Sequence, residues 1–219
     1  MGSRPPRTAL LLIDIQNGFL ESSFWGPSRS NSLFEQNAAS LLKAYRSLIS
    51  SAGSSGSGSS PHRIIHVAHS SLSADSPLHP SSPGFDFQTF AAPKEGESVI
   101  KKHVNSAFIG TNLETLLREH FGRHPGILYI AGLTTDHCVS TTTRMAGNLK
   151  VCDVGDGDEK GEVILVEDAT AAWQKSETGF EAELVHKVHV ESLREFATVA
   201  ETEEVLKEWQ ELLEKDSKI

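Results

Sequence analysis

The sequence predicts a three-layer α/β/α fold built on a central, mostly parallel sheet of six strands. Three observations carry this. The apolar runs at 9–13 and 127–131 are continuous rather than alternating, as strands covered on both faces are. Stretches with helical spacing follow such runs in turn, so the chain repeats strand then helix about six times, the signature of an open Rossmann-like sheet. Finally, 219 residues with no repeat and no dividing boundary suit a single domain over 1–219, with a core at about 8–200 and a closing helix at about 202–215.

Composition removes several function classes. A net charge of -9 with only 20 basic residues leaves no footprint for nucleic acid or an anionic membrane, so a small-molecule substrate is expected. Residues 1–7 are basic, but the short apolar run after them stops at Asp14, which makes neither a signal peptide nor a membrane span. A cytoplasmic protein is the expectation. The two cysteines suggest no disulfide framework, Cys152 falling in a polar Gly/Asp-rich stretch, and reducing conditions would keep Cys138 free.

Taken in order, 9–13 reads as the first buried strand, with Asp14 directly after it. An acid at the carboxyl end of such a strand stands where α/β folds handle ligands, although an Asp capping the next turn fits the same place. Gln16, Phe19 and Trp25 then line a pocket or pack the loop. Helical spacing covers about 33–48, with Ala38, Leu41, Leu42 and Tyr45 on the inner face. SSAGSSGSGSS at 50–60 is too poor in apolar residues to pack and reads as a surface loop. The second strand is 62–68, in which His66 and His69 point to opposite faces, favouring hydrogen-bonding roles over a shared metal. The Pro/Ser-rich stretch 75–93 is long enough to be a lid, with His79 and Phe85 as its pocket contacts.

Residues 97–103 form a short strand that sends Lys101 and Lys102 to opposite sides, one inward. A helix starting at Thr111 or Asn112 buries Leu113, Leu116 and Leu117 before the strand 127–131. In YIAGLTTDHCVSTTTR, 129–144, Gly132 ends that strand and Asp136 reads as the N-cap of a helix beginning around His137 and Cys138. In a first helical turn, unpaired N–H groups and the dipole favour a thiolate, the form that attacks carbonyl carbon. A lone cysteine beside an apolar strand is otherwise a small core residue. Next come a polar insertion at 153–161, a strand at 163–166, Asp168 capping a turn, a helix over 177–193 and a short strand at 196–200. A helix from Thr202 carries Val205, Leu206, Trp209, Leu212 and Leu213 on one face. No GxGxxG follows the first strand, so a dinucleotide site has no support, and no cofactor is expected.

LLLIDIQNGF at 10–19, KHVNSAFIGTNLETLL at 102–117 and IAGLTTDHCVSTTTRMA at 130–146 together resemble the isochorismatase-like cysteine hydrolases, which include isochorismatases and nicotinamidase-related amidohydrolases. VEDATAAW at 166–173 fits as well, and the likeness runs from about 8 to about 200. The resemblance implies an Asp14, Lys102, Cys138 triad, a cis peptide between Leu133 and Thr134, and an oxyanion hole made by the N–H groups of Thr134 and Cys138. Phe108 and His137 join the expected substrate contacts. Nicotinamidases of the family hold a divalent metal through an Asp-x-His pair and a further His after the second strand; here the place reads AHSS, 68–71, so no metal is expected. The implied activity is cleavage of a small amide through a Cys138 thioester, by a homo-oligomer, dimer or tetramer. Two rival readings are vinyl-ether hydrolysis of isochorismate carried by Asp14, and an inactive binding or scaffold protein.

Overall fold

The computed structural model describes residues 6–53, 60–155 and 160–216. In chain order the elements are β1 (Arg7–Ile13), a one-turn α1 (Ser22–Trp25), β2 (Ser28–Arg29), α2 (Phe34–Gly53), β3 (His62–His69), β4 (Ser98–Lys102), α3 (Leu113–Phe121), β5 (Gly126–Leu133), a π-turn (Thr135–Val139), α4 (Ser140–Asn148), β6 (Glu162–Ala171), β7 (Trp173–Gln174), α5 (Ala182–Leu193), β8 (Thr198–Ala200) and α6 (Thr202–Asp216). Six strands form one parallel sheet in the order β4-β3-β1-β5-β6-β8, while β2 and β7 make a separate antiparallel pair.

Period two explains why the strands read as unbroken apolar runs. Ala9, Leu11 and Ile13 of β1 face one core, shared with Leu113, Leu117 and Phe121 of α3 and Val190 and Leu193 of α5. Leu10 and Leu12 face the other, with Ala38, Leu41, Leu42 and Tyr45 of α2 and Val205 and Trp209 of α6. Each such side chain contributes about 1.5–3 kcal/mol of burial, so the strand has no face to spare for solvent.

Several element boundaries differ from the sequence reading, each for a local reason. α2 continues past 48 through Gly53, with the Ser47 and Ser50 hydroxyls donating to the carbonyls of Lys43 and Arg46 one turn back. Thus 50–53 of the expected loop are helical, and 54–59 lie outside the described residues. The expected insertion 153–161 likewise includes 156–159, outside the described residues. Cys152 is buried against the core rather than set in a polar loop. α5 begins at Ala182, after a turn in which Gly179 N–H donates to Ser176 O. Asp168 does cap, but across the fold. Its Oδ1 accepts from Thr202 N and Oγ1, both at 2.7 Å, at the start of α6, and Asn37 of α2 donates to its Oδ2 at 2.9 Å.

The topology selects where chemistry can sit. From β1 the chain moves to β3 and β4 on one side, then returns to β5, β6 and β8 on the other. The crevice between the carboxyl ends of β1 and β5 is therefore the switch point at which open α/β sheets bind ligands. Asp14 follows β1 there and Cys138 lies just after β5. Gly132, at φ 126°, lets the two strands close: a Cβ on it would stand 2.0 Å from Ile13 O. Among the described residues no helix is long and apolar enough to cross a membrane.

Candidate active site

Asp14 is fully buried and takes φ 53°, a left-handed conformation uncommon outside glycine. Its N–H donates to Val67 O at 2.8 Å, which fixes the residue against β3. Lys102, the last residue of β4, is 1% exposed, while Lys101 is exposed with its Nζ 5.3 Å from the Phe85 ring centre. Of the two alternating lysines, Lys102 is therefore the one that turns inward. The Lys102 ammonium has three protons and three acceptors around it: Asp14 Oδ2 at 2.6 Å, His69 Nδ1 at 3.1 Å and Cys138 Sγ at 3.2 Å. His69 reaches it because β3 and β4 pair His69 with Lys102.

Electrostatics define the resting state. Burial lowers the Lys102 pKa, but Asp14 and then Cys138 outweigh it and the net direction is up, so the ammonium is held. Burial and the Asp14 carboxylate push the Cys138 thiol well above its usual range, against a smaller opposing pull from Lys102. This corrects the expectation of a resting thiolate. The shift favours thiol over thiolate at Cys138, which is 6% exposed beside an ion pair. Its segment is also not the expected helix start. Thr134 stands at the cap position, Val139 N–H donates to Thr134 O at 3.2 Å across a π-turn, and α4 begins only at Ser140. Asp136 lies inside that turn rather than capping it; burial raises its pKa, but His137 Nδ1 at 2.7 Å and Lys175 Nζ at 3.5 Å hold it low overall. The Leu133–Thr134 peptide is cis.

The turn carrying Cys138 is braced from several sides. His137 N–H also donates to Thr134 O, at 3.0 Å. Thr135 Oγ1 donates to Thr170 Oγ1 at 3.0 Å and lies 2.9 Å from His186 Nδ1, and Asn31 Nδ2 donates to Thr170 O at 2.6 Å. From β4 onward, Ala107 N–H donates to Thr142 Oγ1 at 3.0 Å, tying the Ser106–Phe108 segment to α4. Asn105, exposed, has its Oδ1 3.9 Å from Cys138 Sγ at the opening of the site.

The expected substrate contacts divide. His137 is half-exposed beside the cysteine, and Phe108 packs in the same core cluster as Cys138. Gln16 is fully buried and its carboxamide is used within the chain: Nε2 donates to His69 O and Phe85 O, and Oε1 accepts from His69 N–H. Phe19 and Trp25 stack on each other at 4.4 Å, with Trp25 Nε1 donating to Gly18 O. His79 Nδ1 pairs with Ser81 Oγ in a local turn. Asn105, His186 and Asn31 escaped the sequence reading. His69 was expected in a hydrogen-bonding role, and the register of β3 against β4 supplies its partner, Lys102.

As to metals, residues 68–71 supply His69 but no Asp-x-His pair, so the ligand set of a nicotinamidase is not present there. A different group exists: an Asp14 carboxylate oxygen, a His69 ring nitrogen and Cys138 Sγ all lie within 4.8 Å of one another.

The family model of the isochorismatase domain matches residues 8–204. The chain belongs to the isochorismatase family. It is a hydrolase of that family, 33% identical over 207 residues to the isochorismatase family protein YrdC of Bacillus subtilis (strain 168), covering 93% of this chain and 96% of that one. It is 32% identical over 176 residues to the secreted isochorismatase effector Isc1 of Verticillium dahliae, covering 75% and 76% of the two chains. Among solved structures, an isochorismatase-family protein from Chromobacterium violaceum superposes with a TM-score of 0.76 at 32% identity, over 96% of this chain and all of that one.

Proposed function

We propose that this isochorismatase-family hydrolase cleaves an amide-type C–N bond of a small molecule through a Cys138 thioester. The observation that carries the proposal is the buried Lys102 ammonium bonded to both Asp14 and Cys138. Asp14 takes the thiol proton as Sγ attacks the carbonyl carbon, and Lys102 keeps the site cationic as the thiolate forms. The N–H groups of Thr134 and Cys138 receive the oxyanion. Asp14 then gives its proton to the departing amine, and water, deprotonated by the same carboxylate, hydrolyses the thioester. His137 and Phe108 touch the substrate, and the nucleophile needs no Lewis acid.

The proposal treats the chain as one domain working as a homo-oligomer in the cytosol, where a free thiol survives. Size-exclusion chromatography with light scattering tests the oligomer, and a monomeric mass removes that part. Vinyl-ether hydrolysis of isochorismate is the second reading, favoured by the buried, hydrogen-bond-free Asp14 Oδ1, which could serve as acid or base without the thiol. A panel of small amides assayed for ammonia, alongside isochorismate assayed for pyruvate, separates the two. Cys138→Ala should keep the fold and lose ammonia release, and alkylation of Cys138 by iodoacetamide, with Asp14 taking the thiol proton as the sulfur reacts, should run in parallel with loss of turnover. Near wild-type turnover in Cys138→Ala transfers the chemistry to Asp14 and the vinyl ether.

A further inference from the structure

We infer that Asp14, His69 and Cys138 form a binding site for a thiophilic divalent cation of the Zn2+ class, whose centre the Lys102 ammonium fills in the resting protein, and that such a cation shuts the active site. The ammonium nitrogen is 2.6, 3.1 and 3.2 Å from the three donor atoms, so a single point already sees all of them. Zinc bonds to oxygen, nitrogen and sulfur are about 2.0–2.3 Å, so the donors need to close in by roughly 1 Å or less. One carboxylate, one imidazole and one thiolate suit a borderline-soft ion and leave a fourth position for water.

Two further features point the same way. Asp14 Oδ1 is buried without a hydrogen-bond partner, a donor set with capacity to spare. His69 Nδ1 accepts from the ammonium, so it carries no proton and its lone pair already faces the centre, with the ring proton on Nε2. Charge and protons also balance. The resting group is a carboxylate, an ammonium and a thiol, net zero. With the cation bound, Cys138 releases its thiol proton and Lys102 one ammonium proton to solvent. The result is a divalent ion, a carboxylate, a thiolate and a neutral amine, again net zero. A buried site exchanges its cation without acquiring uncompensated charge. No covalent bond within the chain changes.

The loss of activity rests on the function proposed above, since it removes the nucleophile and the base together; the binding itself does not. Co2+ is the probe, titrated into the metal-free full-length chain. One equivalent should produce a thiolate-to-cobalt absorption band and intense tetrahedral visible bands, Zn2+ should displace it, and either ion should block alkylation of Cys138 by iodoacetamide. Cys152→Ser should keep the band, Cys138→Ser should lose it, and His69→Leu should weaken binding by about tenfold or more. A band surviving in Cys138→Ser, unchanged affinity in a folded His69→Leu, or saturating Co2+ with neither band nor protection of wild-type Cys138 overturns the inference. These readouts need no turnover, so failure of the amide assays leaves them intact, and the reverse.

Discussion

The two ends of the sheet bury comparable polar chemistry and treat it in opposite ways. At the amino end, Thr8 Oγ1 bonds Tyr45 OH at 2.6 Å and His62 Nδ1 at 2.8 Å, while His120 Nε2–H donates to Thr8 O at 2.8 Å and Arg7 donates to His120 O. Cys152 lies at that end, its carbonyl taking the Gly126 N–H; burial and the neighbouring Asp153 push its thiol up to about 12. At the carboxyl end, Asp14 has an unpartnered oxygen and a left-handed backbone, and Lys102 is buried to hold it. Each end has a buried cysteine with a raised pKa, but the Cys138 sulfur lies against an ion pair, 3.2 Å from the Lys102 ammonium that holds the Asp14 carboxylate. Paired polar networks stabilise. A network left one partner short is available for chemistry, at a cost in stability borne elsewhere in the fold.

The largest effect expected from breaking this contrast is on turnover and on the ion pair itself. Asp14→Asn should lower amide turnover on the order of 10^2- to 10^4-fold, as loss of a general base does. Lys102→Met leaves a buried carboxylate alone and should cost about 3–5 kcal/mol by urea unfolding, most of it recovered in the Lys102→Met, Asp14→Asn double variant. Equal losses in single and double variants would mean that the pair is not the unit described. At the amino end the outcome should invert: Thr8→Val should cost about 1–3 kcal/mol while leaving turnover unchanged. A Thr8→Val protein of undiminished stability, or one with impaired turnover, would dissolve the distinction between the ends.

How far the sequence revealed this contrast depends on the range of the interactions. β1 and Asp14 were legible because a strand buried on both faces is a local composition signal and the acid ends it. Lys102 was narrowed to one of two neighbours by strand alternation, and the family motif chose between them. His69 was legible as a hydrogen-bonding residue, but its partner Lys102 and the place of Asn105 beside Cys138 were hidden, since they arise from β3–β4 register and from the loop after β4. The raised Cys138 pKa was hidden for the same reason, because burial and Asp14 act across the sheet while the helix-start argument sees only neighbours in sequence. The assignment of Asp136 as a cap failed through a one-turn difference: Thr134 O gathers two N–H groups into a π-turn that no propensity announces.

The smallest expected effect is on acid stability, and it falls on both ends. Burial is the largest cause lowering His66, His69, His120, His186 and His189 below the ordinary 6.5. The unfolded chain therefore binds more protons than the folded one below about pH 6.5, so stability is complete above that pH and declines as pH falls through it. Glu97 adds a second decline lower down. Although burial opposes it, Arg46 and the Lys94 N–H take its pKa from 4.5 to about 2, so its contribution is present above about 4.5 and lost on the way down to about 2. Scanning calorimetry should show Tm falling from about pH 7 to about pH 5 and again below about pH 4.5. A flat or rising Tm over the upper interval would show that these histidines are not held neutral by the fold.

The Asp168 clamp has a consequence for how the protein is made. α6 follows every other element in the chain, yet its Trp209 lies 4.9 Å from the Tyr45 ring of α2 and 5.0 Å from the Tyr129 ring of β5, and Glu208 accepts from Tyr129 OH at 2.8 Å. During translation the ribosome releases α2 and β5 long before α6, so these aromatic rings wait uncovered while the remaining residues are synthesised. The aromatic seam closes only when α6 has been made, and Asp168, bonded through one oxygen to Asn37 of α2 and through the other to the Thr202 backbone, is the group that ties the first long helix to the last.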